Sequence, residues 1–272
     1  MKTPSIVLTI AGSDSSGGAG IQADIKTISA LGGYASSVIT SVTAQNTIGV
    51  QGIHPIPTEM VRKQIESVMD DLHPNTIKIG MVCNPNIALT IADCIRKYQP
   101  RWVIYDPVMI STSGHKLMTD DTIEIIKQKL IPMVSLITPN LLEARTLLEN
   151  DLRDIKDMES GAKALSLKYG CSVLIKGGHL EDNDMCDILY DADEQQFYHY
   201  QAPKIESHNL HGTGCTLSSA IATQLSHGHS LKKAIVLAKD YVTKAIDAAQ
   251  NIQIGHGHGP LWHFGCLITK HK

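Results

Sequence analysis

Short apolar runs alternate with longer amphipathic segments along most of the chain, and this alternation predicts its secondary structure. The short runs are rich in β-branched residues and end at Gly, Pro or Asp, which is typical of buried strands. The predicted strands are Ile6–Ile10, Ser37–Val42, Thr76–Ile79, Trp102–Tyr105, Val134–Thr138, Ser172–Ile175, Asp187–Tyr190 and Gln196–Tyr200. Apolar residues three or four positions apart predict helices over Ala19–Leu31, Thr58–Leu72, Asn86–Tyr98, Thr119–Leu130, Leu141–Leu148, Met158–Tyr169, Thr216–Ser226 and Leu231–Ala249.

Continuous apolar strands separated by helices indicate an α/β fold with a mainly parallel sheet that is covered on both faces. The last two strands follow each other without a helix, so they predict a small antiparallel hairpin at one edge. No linker or low-complexity block divides the sequence, and we expect one domain over residues 1–272. Ligands of such sheets bind beyond the carboxyl ends of the strands, which is where candidate functional residues are to be sought.

Composition narrows the class of protein. The 272 residues carry a net charge of −3 and are 43% hydrophobic, with a mean hydropathy of −0.04. No basic surface indicates nucleic-acid binding, and no apolar run indicates a membrane span or a signal peptide, so we expect a cytoplasmic protein. The six cysteines form no C-x-x-C pair, which argues against a disulfide scaffold or a structural zinc site.

The segment His211-Gly212-Thr213-Gly214-Cys215 immediately precedes an amphipathic run and has the composition of an anion cradle. Backbone N–H groups and the positive end of the dipole at a helix N-terminus favour a phosphate. The same field predicts that the thiolate of Cys215 is favoured. The structural alternative is a tight turn in which Thr213 only caps the helix.

A second glycine-rich segment, Ala11–Gly20, formally contains a G-x-G-x-x-A dinucleotide fingerprint at its end. Its glycines lie too far beyond the predicted strand, and no acidic residue follows at the required distance, so the pattern argues against a dinucleotide site. Glycines here instead suit close approach of the backbone to a small flat ligand. No P-loop motif is present.

Polar residues stand at the ends of several predicted strands. Asp106 and Glu143 could hold a hydrated Mg²⁺, although Asn140 and Glu143 also form a capping-box pattern. Lys176 could neutralise phosphate oxygens or be a solvated lysine. Gln45 could bind the edge of a heteroaromatic amine or be a polar loop residue.

The histidines of Gly255-His256-Gly257-His258-Gly259 suggest a metal site. No predicted helix or strand fixes their geometry and no cysteine pair completes a ligand set, so an ordered loop is the preferred interpretation.

Seven short segments of the sequence, in their order along the chain, resemble the hydroxymethylpyrimidine kinase/phosphomethylpyrimidine kinase family of thiamine biosynthesis, within the ribokinase-like superfamily. The resemblance extends from Ile6 to about Phe264. It rests on Ala11–Asp24, Ala44-Gln45-Asn46-Thr47, Lys78-Ile79-Gly80-Met81, Asp106-Pro107-Val108-Met109, Ile137–Glu143, Lys176-Gly177-Gly178-His179 and His211–Cys215.

The resemblance implies a three-layer α/β/α sandwich that uses ATP and Mg²⁺. It implies phosphorylation of 4-amino-5-hydroxymethyl-2-methylpyrimidine and then of its monophosphate. The implied roles are a base (Cys215), an anion hole (Gly212, Thr213, Gly214), contact with the nucleotide phosphates (Lys176), organisation of magnesium (Glu143, Asp106), pyrimidine binding (Gln45) and the surroundings of the ring (Gly12, Ala19, Met81, Val108). We also expect a homodimer.

Two alternatives remain. A pyridoxal kinase on the same scaffold would act on a similar hydroxymethyl heterocycle, but Gln45 favours the pyrimidine. A non-catalytic sensor of thiamine precursors would be expected to have lost its anion hole or its acidic residues, and both are present.

Overall fold

The computed structural model describes residues 3–109, 117–177 and 184–265, so Gly178, His179 and Cys266 lie outside the described residues. Its strands are β1 (Ile6–Asp14), β2 (Tyr34–Gln45), β3 (Val50–Pro55), β4 (Thr76–Ile79), β5 (Trp102–Tyr105), β6 (Leu136–Ile137), β7 (Ser172–Ile175), β8 (Asp184–Asp191) and β9 (Gln196–Pro203). Its α-helices are α1 (Gly20–Ala30), α2 (Thr58–Asp71), α3 (Pro85–Tyr98), α4 (Asp120–Ile125), α5 (Leu141–Leu148), α6 (Ile155–Tyr169), α7 (Thr213–Ser226) and α8 (Leu231–Ala249).

The strands form one sheet in the order β3-β2-β1-β4-β5-β6-β7-β8-β9. The six consecutive strands from β2 to β7 in this order are parallel to one another. The strands at the two edges, β3 on one side and β8 and β9 on the other, pair antiparallel. The predicted parallel sheet with an antiparallel edge hairpin is therefore confirmed. Strand β1 pairs with β2 on one side and with β4 on the other, so the strands that follow β1 are added first toward one edge of the sheet and then toward the other. The carboxyl end of β1 is therefore a topological switch point.

Helices cover both faces of the sheet. One buried cluster joins the sheet to α2, α3, α4, α5 and α6, and the other joins it to α1, α7 and α8. The central strands β4 and β7 are buried along their whole length, which explains their continuous apolar sequences. The described residues contain no helix that is long and apolar enough to cross a membrane.

Three local features differ from the prediction. Strand β2 continues to Gln45 and pairs with the unpredicted strand β3, most of whose residues are exposed. The helix predicted over Thr119–Leu130 is α-helical only to Ile125, and continues as a π-helical turn over Ile126–Leu130. The strand predicted over Val134–Thr138 is reduced to the two residues of β6.

Candidate functional site

The carboxyl ends of the parallel strands bring several predicted residues to one edge of the sheet. The glycine-rich segment begins within β1, Gly80 follows β4, Asp106 follows β5 and Lys176 follows β7. Lys176 is also held beside β6 through a bridge to Asn140. The residues expected from the strand ends therefore lie along one edge of the sheet, where a ligand crevice is expected in this kind of fold.

An acidic and basic cluster occupies the middle of this crevice. The Lys176 Nζ atom donates to Asp106 Oδ1 at 2.7 Å and lies 3.9 Å from Glu143 Oε2. Thr138 Oγ1 also donates to Asp106 Oδ1, at 3.1 Å. Asp106 and Glu143 are both buried. A Cβ atom on Gly214 would lie 3.3 Å from Asp106 Oδ2 and from Lys176 Nζ. The predicted anion cradle of residues 211–215, which we call the anion loop, therefore passes directly over the cluster.

Burial and mutual charge set the ionisation of this cluster. Burial raises the pKa of Glu143 and the Asp106 carboxylate adds to the increase, while Lys176 opposes it. Burial disfavours the charged Lys176 amine, but the neighbouring Asp106 and Glu143 carboxylates raise its pKa overall. Lys176 therefore stays a cation beside two acids, which suits it to binding additional anionic oxygens.

The capping interpretation of Glu143 is confirmed. Asn140 N–H donates to Glu143 Oε2 at 2.7 Å, and Glu143 N–H donates to Asn140 Oδ1 at 2.9 Å, which is the reciprocal pair of a capping box. This cap begins α5 and fixes the Glu143 side chain at the crevice. The capping role and a ligand role therefore involve the same orientation of one side chain.

The anion loop forms the N-terminus of α7. Gly212 is the N-cap residue, and its φ of 87° is a left-handed conformation that glycine adopts without steric cost. A Cβ at this position would lie 1.9 Å from Gly18 O, so the two glycine-rich segments meet here. Thr213 is not the cap that the structural alternative required, because its hydroxyl donates to Leu210 O at 2.7 Å and its N–H donates to the same carbonyl at 3.3 Å. Gly214 and Cys215 occupy the first turn, where backbone N–H groups have no acceptor within the helix.

The expected thiolate at Cys215 is wrong for this site. The residue keeps some solvent exposure, but burial of the thiol raises its pKa to about 11, with the charges of Asp24 and Asp106 adding to the increase. Lys78 and the Gly20 N–H favour the thiolate without outweighing burial. Burial therefore keeps this thiol protonated in the substrate-free site.

The sequence analysis missed a buried ion pair whose two charges act on Cys215. Lys78 Nζ donates to both Asp24 carboxylate oxygens at 2.9 Å, and both side chains are fully buried. Thr9 and Ser219 hydroxyls also donate to Asp24, so its carboxylate is fully satisfied. Lys78 is the signal that could have revealed the pair, because a charged residue in an otherwise buried strand requires a partner.

A second buried pair joins the two glycine-rich segments. Asp14 Oδ2 lies 2.8 Å from His211 Nε2 and also accepts from the backbone N–H groups of Gly18 and Ala19. Burial opposes the Asp14 charge, but the hydrogen bond with His211 and those from the hydroxyl and N–H of Ser16 hold the pKa of Asp14 well below its usual range. The predicted pyrimidine ligand Gln45 lies in the same group, with Nε2 3.3 Å from His211 Nε2.

The remaining predicted substrate residues are divided among neighbouring parts of the crevice. A Cβ on Gly12 would lie 3.3 Å from Met81 Sδ, so these two residues are adjacent. Ala19 belongs to the Asp14 loop, and Val108 follows Asp106 with its N–H donating to the Asp106 carbonyl at 2.8 Å.

No group of three or more potential metal-ligating side chains occurs among residues 3–109, 117–177 and 184–265. His256 and His258 are exposed there.

The sequence matches the family model described as phosphomethylpyrimidine kinase over residues 14–262. It is 44% identical to the hydroxymethylpyrimidine/phosphomethylpyrimidine kinase of Rhizobium meliloti, over 95% of this chain and 97% of that protein. It is 45% identical to the thiamine biosynthesis bifunctional protein ThiED of Geobacter sulfurreducens, over 94% of this chain. The chain spans only about half of that bifunctional relative, 52% of its length.

Solved structures give the same fold. The phosphomethylpyrimidine kinase of Clostridium difficile 630 superposes with a TM-score of 0.80 at 42% identity, covering 89% of this chain and 99% of the other. An ADP complex of Bacillus subtilis pyridoxal kinase superposes with a TM-score of 0.89 at 32% identity, covering 98% of this chain and 100% of the other. These likenesses confirm the expected ribokinase-like three-layer architecture.

Proposed function

The chain belongs to the phosphomethylpyrimidine kinase family, and we propose that it transfers a phosphoryl group from ATP to 4-amino-5-hydroxymethyl-2-methylpyrimidine and then to its monophosphate. The observation that carries this proposal is the convergence of the α7 N-terminus on the Lys176, Asp106 and Glu143 cluster. Phosphoryl transfer requires mainly positioning and neutralisation of negative charge, and this arrangement supplies both. ADP bound to the similar Bacillus pyridoxal kinase supports ATP as the donor.

Lys176 and the first-turn amides of α7 would bind the transferring phosphoryl oxygens. Asp106 accepts a hydrogen bond from Lys176 and so orients its amine toward Gly214, which is where a phosphate would contact the loop. Gly214 has no side chain, so an anion held by Lys176 can approach the backbone of the loop closely at this position. The N–H of Thr213 donates to Leu210 O, so Gly214 and Cys215 provide the better oriented amides.

Mg²⁺ fits the donor set of the cluster. Asp106 and Glu143 offer two buried carboxylates on either side of Lys176, and magnesium commonly combines one or two carboxylates with waters and substrate phosphates. When bound, the metal would neutralise charge on the nucleotide phosphates. Glu143 would bind through the carboxylate that its capping box already fixes in place.

Cys215 would accept the proton of the substrate hydroxymethyl group. The thiol carries its own proton in the substrate-free site, because its pKa is raised to about 11. The thiolate must therefore form before the proton can be accepted, and Lys78 is the cation that favours it. This requirement predicts a rate that increases with pH.

Gln45 would recognise the aminopyrimidine. Its amide can accept from the exocyclic amine and donate to a ring nitrogen, and it lies beside the Asp14 and His211 pair at the entrance to the anion loop. Gly12, Ala19, Met81 and Val108 would surround the ring.

A pyridoxal kinase is the second candidate, because the structure of Bacillus subtilis pyridoxal kinase superposes on 98% of this chain with a TM-score of 0.89. The discriminating experiment measures kcat/KM for the aminopyrimidine alcohol and for pyridoxal with the purified protein and saturating ATP and Mg²⁺. We expect the aminopyrimidine to be the better substrate and its monophosphate to be converted further. Higher kcat/KM for pyridoxal, or no turnover of the aminopyrimidine, would overturn the main proposal.

We further propose that residues 1–272 act as one kinase domain in the cytoplasm, without a nucleic-acid partner, and that two copies form a homodimer. The five free cysteines of the described residues suit a reducing compartment, and the net charge of −3 does not favour nucleic acid. Three exposed apolar side chains support the dimer as candidate interface residues: Val42 on β2, Ile48 in the turn after β2 and Met60 on α2. Light scattering of the purified protein tests the dimer, and a monomer mass would contradict it.

A further inference from the structure

The glycine and histidine segment near the C-terminus connects two parts of the proposed site. Residues 255–260 run from the turn after β2 to the loop before α7. At one end the segment contacts Thr47, two residues beyond Gln45, and at the other end it contacts His211, one residue before Gly212. The histidine side chains are exposed, so the contacts come from the backbone of the segment.

Thr47 binds three consecutive N–H groups of this segment. Its Oγ1 atom accepts from His256 N at 3.2 Å and from Gly257 N at 3.1 Å, and its carbonyl accepts from His258 N at 2.9 Å. The approach is too close for a side chain, because a Cβ on Gly257 would lie 2.1 Å from Thr47 O. The glycine at this position is therefore required by the contact with Thr47.

The other end of the segment is joined to the anion loop. His211 N–H donates to Gly259 O at 3.1 Å, and His211 and Pro260 form a parallel bridge. A Cβ on Gly18 would lie 3.0 Å from Pro260 Cβ, so the segment also packs against the Asp14 loop. Six residues thus connect the turn that follows Gln45 to the loop that contains Gly212.

We infer that Thr47 is a positioning residue for substrate recognition. It lies in the turn that follows Gln45, and through residues 255–260 it connects this turn to the anion loop. The inference rests on the proposed function, in which Gln45 recognises the aminopyrimidine while the anion loop binds phosphate. Transfer requires the heterocycle and the phosphate to be held at a fixed separation, and this segment fixes the separation of the loops that bind them. We expect the contact between Thr47 and residues 255–260 to affect binding of the alcohol substrate and to leave the ATP contacts of Lys176 unchanged.

The test compares Thr47→Val, which keeps the side-chain shape but removes the acceptor, with Thr47→Ser, which keeps the hydroxyl. Thr243→Val on α8 is the matched control, since Thr243 is also half-buried. We expect Thr47→Val to increase the KM of the aminopyrimidine alcohol roughly fivefold, the effect of losing two exposed hydrogen bonds. The KM of ATP should stay unchanged, and Thr47→Ser and Thr243→Val should resemble the wild type.

A double-mutant cycle shows whether Thr47 acts through Gln45. In a Gln45→Met background, adding Thr47→Val should not increase the KM of the alcohol further, because the amide that it positions is absent. Independent, additive effects would overturn the inference, as would an unchanged KM in the single variant. If Thr47→Val does not fold, Gly257→Ala perturbs the same contact from the other side and should give the same signature.

Amide hydrogen exchange provides a readout that does not depend on activity. The N–H groups of residues 256 and 257, which donate to Thr47 Oγ1, should exchange faster in Thr47→Val than in the wild type or in Thr243→Val. Equal exchange would overturn the inference. Wild-type protein that shows these protected amides but does not phosphorylate the aminopyrimidine would instead refute the proposed function and, with it, the role assigned to Thr47 in recognition.

Discussion

Cys215 is expected to keep its proton in the substrate-free protein throughout the neutral pH range. Burial raises the pKa of the thiol from 9.0 to about 11. At pH 8 only about one molecule in a thousand then carries the thiolate, roughly a hundredfold fewer than for an unperturbed thiol. This increase in pKa disfavours the thiolate by about 3 kcal/mol.

The measurement is the rate at which iodoacetamide alkylates Cys215 between pH 7 and 10, followed by mass spectrometry of the peptide that contains it. Glutathione in the same samples reports the behaviour of a free thiol. Because only the thiolate reacts, the Cys215 rate should increase about tenfold per pH unit over this range, while the glutathione rate levels off near its pKa. In the same range kcat/KM should increase with pH, since it reports the ionisation of the free enzyme.

A Cys215 rate that levels off near pH 8 would refute the reasoning, because it would mean that the helix N-terminus and Lys78 outweigh burial. The slope decides the question and the absolute rate does not, because restricted access slows alkylation equally at every pH. Lys78→Met adds an internal check. Loss of this cation should raise the pKa of Cys215 further and lower the alkylation rate at each pH.

Four further outcomes are expected. Cys215→Ala should abolish most turnover while ATP binding, measured by calorimetry, survives; a near-normal kcat would contradict its role as the base. Glu143→Gln keeps an acceptor for the cap, whose complete loss would cost about 1 kcal/mol, but it should weaken the apparent Mg²⁺ affinity. Because burial raises the pKa of Glu143, the wild type should lose Mg²⁺ affinity as pH falls, and the variant should not. Gln45→Met should weaken aminopyrimidine binding by roughly 1–3 kcal/mol and affect pyridoxal much less, as judged from kcat/KM; equal losses would mean that Gln45 only shapes its loop. Lys78→Met should lower the free energy of unfolding in urea by about 3–5 kcal/mol, and adding Asp24→Asn should recover part of the loss; a loss below about 1 kcal/mol would contradict the buried pair.

The fold could be predicted where apolar patterning reflects burial. Strands β4, β5 and β7 match their predicted bounds, because buried parallel strands have continuous apolar sequences. Strand β3 has no such pattern, since its residues are mostly exposed and its pairing with β2 depends on backbone hydrogen bonds. The π-helical turn after α4 was missed for a related reason: its side chains follow a helical period, and only the backbone hydrogen bonds differ.

The candidate site could be predicted where it depends on strand ends, and not where it depends on distant pairs. Asp106, Glu143 and Lys176 follow predicted strands, so topology alone brings them together. The Asp14 and His211 pair joins residues separated by 197 positions, and neither residue carries a local signal of the other. Glu143 also shows that a capping motif and a candidate ligand are not alternatives, because a cap at a strand end orients its carboxylate toward the crevice.

The ionisation of Cys215 illustrates why local sequence does not determine chemistry. A helix N-terminus contributes typically 0.3–1 kcal/mol, about 2 kcal/mol at most, whereas desolvation of a buried group can shift a pKa by several units. Around the thiol, the structure places two cations, Lys78 and Lys176, and two carboxylates, Asp24 and Asp106, whose formal charges cancel. Burial therefore decides the balance in the substrate-free site. Any change in charge or solvation on ligand binding will change the proton affinity of Cys215, which makes the timing of proton transfer a property of the assembled site and not of the motif.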